Sequence, residues 1–100
     1  MTSKSFITIG CGYVKNDIDN WLENVSSSYA FKLLDSVLAG SGLTCDDFVL
    51  TKRHYEDWAF FYLKSTAKDE IFHRDEEIIR QNAHRLLDQK ILTYAMCVAN

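Results

Sequence analysis

Histidines are the residues of this sequence best suited to metal binding or acid–base catalysis. His73 and His84 would share one face of a straight helix, but eleven residues at 1.5 Å each separate them by about 16 Å, too far to hold one metal ion. Glu70 and His73 have the Glu-x-x-His spacing of di-iron proteins. That site needs the motif twice and two further glutamates, whereas this chain has the motif once. We therefore expect no metal site and no cofactor, and interpret the histidines as surface residues.

Cysteine and histidine could also form a nucleophilic pair. Cys45 and His54 could approach in space, but no neighbouring residue activates the thiol and no G-x-S-x-G frame is present. Cys11 and Cys97 have apolar neighbours, which favours burial as small hydrophobic side chains. The segment Gly10-Cys11-Gly12 lacks the third glycine or the Lys-Ser/Thr of a phosphate-binding loop. The sequence therefore predicts a protein that is not an enzyme and has no catalytic residue.

Basic side chains next to aromatic ones suit single-stranded nucleic acid, because bases stack on the rings. Residues 1–50 carry three Lys against six acids, and residues 51–100 carry eight of each sign. Neither half is basic enough to favour phosphate binding, so we do not expect nucleic acid as the partner. The alternative function, a small helical nucleic-acid-binding regulator, would use Lys52, Arg53, Arg74 and Arg85.

Large apolar side chains are numerous for a chain of this size. Phe60 and Phe61 cannot both face the interior from one helix, and Ile91–Ala99 is apolar except for Thr93. Contiguous exposed apolar patches usually mark contacts, although the helices could equally enclose all these side chains. Binding of another protein or of a second copy of the chain is assigned to Trp58, Phe60, Phe61, Tyr62, Tyr94 and Met96.

The composition is that of one globular domain, with 47% hydrophobic and 25% charged residues in a chain of 100. Three cysteines without CxxC spacing argue against a disulfide scaffold and for a reducing compartment. No apolar run of signal-peptide length follows Lys4, and Trp58–Leu63 is much too short to span a membrane. We expect a cytoplasmic protein without membrane contact.

Helical periodicity is the main structural signal. Asp75-Glu76-Glu77 suits a helix N-terminus, and Ile79, Ala83 and Leu86 recur at helical spacing after it. We predict helices at 16–25, 28–39, 45–64 and 67–98, the last as one helix or two, and an extended N-terminal arm at 6–9. The predicted fold class is mainly α: a small helical bundle that forms a single domain over residues 1–100.

The segment 48–63 also suits a β-hairpin. Strands at 48–53 and 58–63 could be joined by His54-Tyr55-Glu56-Asp57 and extended by a third strand at 6–9, which gives an α+β fold. That turn lacks the Asn-Gly or Asp-Gly that a tight hairpin prefers, so we favour the helix.

The function expected from these observations is that of a non-enzymatic protein-binding module, such as a small inhibitor, immunity-type or adaptor protein. Its small size, its net charge of −3 and the lack of a catalytic motif support this class. The expectation depends more on what the sequence lacks than on a specific motif.

We expect Leu86→Ala to lower the free energy of unfolding by about 2–5 kcal/mol, because Leu86 lies on the apolar face of the predicted C-terminal helix. Denaturant unfolding followed by circular dichroism measures the effect. An unchanged midpoint would place Leu86 outside the core.

Overall fold

An antiparallel sheet of four strands organises the part of the chain that the structure describes. A computed structural model describes residues 5–10, 26–52 and 58–99. Its strands and α-helices are, in chain order, β1 (Phe6–Gly10), α1 (Ser26–Leu38), β2 (Phe48–Lys52), β3 (Trp58–Leu63), α2 (Asp69–Asp88) and β4 (Tyr94–Val98). The strands lie in the order β2-β3-β1-β4, so these elements have the split βαβ, or ferredoxin-like, arrangement. This topology is shared by many unrelated functions and does not by itself assign one.

The predicted mainly α fold, a helical bundle with a helix at 45–64, is wrong. The segments β2 and β3 are antiparallel strands, with Val49 opposite Tyr62 and Leu50 opposite Phe61. Both segments are rich in β-branched and aromatic residues, which pack well on a pleated surface. Adjacent strand residues point to opposite faces, so Phe60 and Phe61 are both buried without sharing one helix face. The α+β alternative, in which the strand at 6–9 joins this pair, agrees with the observed sheet. The turn residues 54–57 lie outside the described residues.

The core lies between one face of the sheet and the two helices. Ile7 of the central strand β1 is directly opposite Phe61 of β3, and both side chains are fully buried. The Phe61 ring meets Phe31 of α1 edge-on at a centroid distance of 5.5 Å. Phe48 of β2 lies 6.2 Å from Phe72 of α2. Aromatic contacts therefore join both helices to the same face of the sheet.

The predicted C-terminal helix, 67–98, is too long. Helix α2 ends at Asp88, and residues Tyr94–Val98 form strand β4, which pairs with β1. Asp75 lies inside α2 rather than at its N-terminus, while Leu86 is buried as predicted. The apolar C-terminal end is therefore a sheet strand rather than a helix buried on several sides.

Helix α2 ends in a Schellman motif. The Ile91 amide donates to the Leu86 carbonyl at 2.9 Å, and the Lys90 amide donates to the Leu87 carbonyl at 3.0 Å. Lys90 has a φ of 60°, a left-handed conformation that a helix end usually gives to glycine. Because the sequence has neither Gly nor Pro here, the usual signal for a helix end is missing.

Helix α1 confirms the prediction of a helix at 28–39, with observed bounds Ser26–Leu38. Gly40 has a φ of 82° and occupies the left-handed position after the helix, as expected for glycine. The helix predicted at 16–25 lies outside the described residues.

The amide of Asn82 joins the two helices. Asn82 is buried on α2, and its Nδ2 donates to the carbonyls of Val37 at 2.9 Å and Ala39 at 2.7 Å. These carbonyls belong to the C-terminal end of α1, where the last four carbonyls of a helix have no partner within it. One side chain therefore satisfies two backbone groups and sets the packing of α1 on α2.

We expect Asn82→Ala to lower the free energy of unfolding by about 1–3 kcal/mol, because it leaves the Val37 and Ala39 carbonyls without their donor. The neighbouring Gln81→Ala is the matched control, since Gln81 is exposed and should change stability by less than about 0.5 kcal/mol. Urea unfolding measures both variants. Equal stability of the two variants would show that the amide does not join the helices.

Candidate interaction surface

Four of the six predicted partner-binding residues lie on the face of the sheet opposite α1 and α2, which we call the outer face. Phe60 and Tyr62 alternate with Phe61, whose ring contacts α1. Phe60 is opposite Thr8, and Thr8 is opposite Met96. Directly paired residues share a face, so Met96, and with it Tyr94 two residues before, belongs to the outer face.

Side-chain contacts on the outer face support this placement. The Phe6 ring lies 5.8 Å from Phe60 and 5.5 Å from Tyr62, measured between ring centroids. The rings of Phe60 and Tyr62 are stacked at 6.1 Å with an interplanar angle of 15°. On β4, the Tyr94 hydroxyl donates to the Met96 sulfur at 3.5 Å. The outer face therefore carries a cluster of three aromatic rings on its two central strands.

An apolar row crosses all four strands at one end of the outer face. Val49 of β2 is opposite Tyr62 of β3, Tyr62 is opposite Phe6 of β1, and Phe6 is opposite Val98 of β4. Val49 is 48% exposed and Tyr62 37% exposed, while Phe6 and Val98 are half-buried. We call these four residues the outer-face row. It is a contiguous apolar strip with solvent access.

The neighbouring row is less accessible at its centre. Phe60 is only 7% exposed, and Thr8 is fully buried with no hydrogen-bond partner for its Oγ1 among the described residues. Met96, at the β4 end of this row, is 37% exposed. The side chains that a partner can reach are therefore those of the outer-face row and Met96, rather than that of Phe60.

The other two predicted partner-binding residues have different positions. Phe61 is fully buried on the helix side, so it belongs to the core and not to an accessible surface. Trp58 is opposite Gly10 in the backbone ladder, but its side chain lies outside the described residues. Phe61 was assigned to the surface because the helix prediction gave it the wrong periodicity.

The residues of the nucleic-acid alternative do not form a patch in the part of the chain that the structure describes. Arg74 and Arg85 are exposed on α2, eleven residues apart, which is about 16 Å along a helix. The Arg74 guanidinium is already bonded to Asp75, at 3.0 Å through Nε and 2.9 Å through Nη2. The side chains of Lys52 and Arg53 lie outside the described residues.

The described thiols are poor nucleophiles. Burial raises the pKa of Cys97 to about 12. Burial and a hydrogen bond with Asp35 also raise the pKa of Cys45. Both thiols are therefore protonated at neutral pH, the less reactive form. Within the described ranges, no group of three His, Cys, Asp or Glu side chains could hold a metal ion.

Asp75 has the most strongly lowered carboxyl pKa among the described residues, at about 2. The main cause is its bond with Arg74, and the next is the Gly42 amide, which donates to Oδ2 at 2.8 Å. A Cβ at Gly42 would come within 2.7 Å of the Arg74 guanidinium and 2.9 Å of Ile71, so glycine allows this close approach. The hydrogen bond between Gly42 and Asp75 holds the turn that follows α1 against α2. Asp75 is therefore a structural residue rather than a catalytic acid.

Three residues of the outer-face row, Phe6, Val49 and Val98, are not among the predicted site residues. A signal was present, because Phe6–Ile9 and Phe48–Thr51 have the composition of strands. Which strand faces pair with which cannot be read from either segment alone. Only the register of the sheet brings these residues next to Tyr62.

Comparisons with protein-family models, curated protein sequences and solved structures give no match for this chain. Neither α1 nor α2 is long and apolar enough to cross a lipid bilayer. Function therefore has to be inferred from the geometry of the described residues.

We expect acid to destabilise the wild-type protein more than its Asp75→Asn variant. The folded state lowers the pKa of Asp75 from 3.8 to about 2, so its charged form stabilises the fold. That contribution is complete above the unfolded pKa and is lost as the pH falls through about 2. Urea midpoints between about pH 6 and pH 2 should therefore converge for the two proteins at low pH.

The exposed Asp88→Asn is the control, and its difference from the wild type should vary less over this range. If the urea midpoints of the wild type and Asp75→Asn differ by the same amount at high and low pH, the charged pairing of Asp75 with Arg74 is contradicted.

Proposed function

We propose that this chain is a non-enzymatic protein-binding module, such as an inhibitor, immunity-type or adaptor protein, that contacts its partner through the outer-face row and Met96. The observation that carries the proposal is the apolar strip across four strands, with Val49 and Tyr62 exposed at 48% and 37%. Aromatic residues such as Tyr62 and Phe6 are enriched in protein interfaces, and Tyr is common among the few residues that carry most of the binding energy, while neighbouring side chains such as Val49 exclude water around them. The partner is another protein with an apolar patch.

The charge of the outer face favours a protein over a nucleic acid. Within the four strands, the described outer-face side chains are aliphatic, aromatic, Met or Thr, and none is basic. Rings on the central strands of such a sheet can stack bases, as in RNA-binding domains of similar topology. Stacking also needs an accessible ring and nearby cations for the phosphates, whereas Phe60 is 7% exposed. A nucleic-acid-binding regulator is therefore the second candidate.

A reducing, cytoplasmic setting suits this proposal. The two described cysteines, Cys45 and Cys97, are free thiols. Cys97 is buried between the sheet and α2, which is typical of a small hydrophobic side chain in a reduced protein.

We expect Val49→Lys to weaken partner binding at least tenfold, which is about 1.4 kcal/mol, because it puts a charge into the apolar contact. Stability should change by less than about 1 kcal/mol, since Val49 is 48% exposed. Ile78→Lys is the matched control, because Ile78 is 38% exposed but lies on α2. Immobilised wild-type protein and the two variants are incubated with extract of the cells that produce the protein, and retained proteins are quantified by mass spectrometry.

The proposal expects a protein retained by the wild type and Ile78→Lys and lost with Val49→Lys. Equal retention by all three would contradict the assignment of the outer-face row. Oligonucleotide binding in the nanomolar range, lost when Lys52 and Arg53 are changed to Ala, would favour the regulator instead, because it far exceeds the non-specific range of about 10⁻⁴–10⁻⁶ M.

A further inference from the structure

Strand β4 is an edge of the sheet with backbone groups that face outward. The Leu63 amide donates to the Ser5 carbonyl, so odd-numbered residues at this end of β1 bond to β3 and even-numbered ones to β4. Their partners Met96 and Val98 therefore bond to β1, and the N–H and C=O groups of Ala95 and Cys97 point away from it. Strand β4 has no Lys or Pro, the residues that commonly protect an edge from pairing.

A cavity of about 120 Å³ lies between β4 and α2, next to this edge. Its inner end reaches the fully buried side chains of Ile7, Val37 and Ile79, and its outer end is formed by the exposed Arg80, His84 and Met96. A cavity of about 150 Å³ can hold benzene, so this one has room for a branched aliphatic side chain. It is therefore placed to receive a side chain from a segment that lies along β4.

The walls of this cavity have a charge preference. Two of its lining side chains are basic, Arg80 and His84, and because Arg80 is already paired with Glu76, the preference comes from His84. Arg80 donates to Glu76 and, at 2.7 Å, to the Cys97 carbonyl, so it holds one outward backbone acceptor of β4. His84 is exposed one helical turn further along α2. An occupant with a carboxylate next to its aliphatic side chain would complement this end of the cavity.

We propose that the groove between β4 and α2 binds an extended peptide segment of a partner protein, which adds to β4 as a further strand. The outward N–H groups of Ala95 and Cys97 and the outward carbonyl of Ala95 bond to its backbone, an aliphatic side chain fills the cavity, and an acidic side chain two residues away faces His84. Strand addition of this kind obtains affinity from backbone hydrogen bonds and specificity from pockets for alternate side chains. The inference rests on the proposed protein-binding function, but it uses a surface separate from the outer-face row.

A second copy of the chain fits the groove less well than a peptide. In a symmetric β4–β4 pair centred on Met96, Ala95 of one copy would be opposite Cys97 of the other. These are the helix-side residues of β4, and their small side chains would leave the cavity largely empty. A peptide with a larger aliphatic residue does not have this disadvantage.

The test uses a fluorescein-labelled hexapeptide, Thr-Thr-Val-Thr-Glu-Thr, in which Val and Glu share one face of a strand. Fluorescence polarisation should show saturable binding to the full chain. Ala95→Pro should weaken it at least about tenfold, because proline removes an outward N–H without interrupting the bonds to β1. Lys52→Pro is the matched control, since it makes the corresponding change on the other edge strand, β2, and should leave binding unchanged.

Charge reversal tests the acidic position. His84→Glu should weaken binding of the Glu-containing peptide at least about tenfold. It should strengthen binding of a peptide with Lys in place of Glu, a result that loss of folding could not produce. No saturation up to about 1 mM peptide, or equal binding by Ala95→Pro and Lys52→Pro, would overturn the proposal. So would a wild-type dimer in light scattering that Ala95→Pro converts to a monomer, because the groove would then belong to a second copy. Since Val49→Lys leaves this groove unchanged, failure here is distinguishable from failure of the outer-face assignment.

Discussion

The described structure depends on the insertion of β1 between β3 and β4. Ile7 and Ile9 of this strand are fully buried, and its backbone bonds on both sides to segments that are about 50 and 90 residues away in sequence. Without β1, the hairpin of β2 and β3 would have a free edge, and β4 would have no partner in the sheet. A two-stranded hairpin alone is marginally stable in water, so this insertion is what makes a sheet of four strands possible.

Two polar side chains of α2 determine how α1 and the following turn lie on that sheet. Asn82 satisfies carbonyls at the end of α1, and Asp75 accepts the Gly42 amide while paired with Arg74. Buried polar groups are costly unless they are bonded, so these contacts favour one packing of the helices over others of similar apolar content. The helices are thus held by direction-specific bonds as well as by the aromatic contacts of the core.

The sheet leaves two surfaces with different chemistry. The outer-face row offers aromatic and aliphatic side chains, whereas the β4 edge offers backbone hydrogen bonds beside a largely apolar cavity that His84 also lines. Met96 belongs to both, because it lies on the outer face and lines the cavity. A partner of the kind proposed that used both surfaces would place a folded part on the outer face and an extended segment along β4, with Met96 between them.

The sequence by itself determined the features that depend on local chemistry. These are the end of α1 at Gly40 and the buried face of α2 that includes Leu86. It did not decide whether 48–63 and 94–98 are helix or strand, because runs of aromatic and aliphatic residues can bury one face in either form. Pairing with β1 decided this in favour of strands, and that choice placed Phe61 in the core and Val49 beside Tyr62. The cavity, the position of β4 at the edge of the described sheet and the outer-face row depend on register between distant segments, which only the tertiary structure determines.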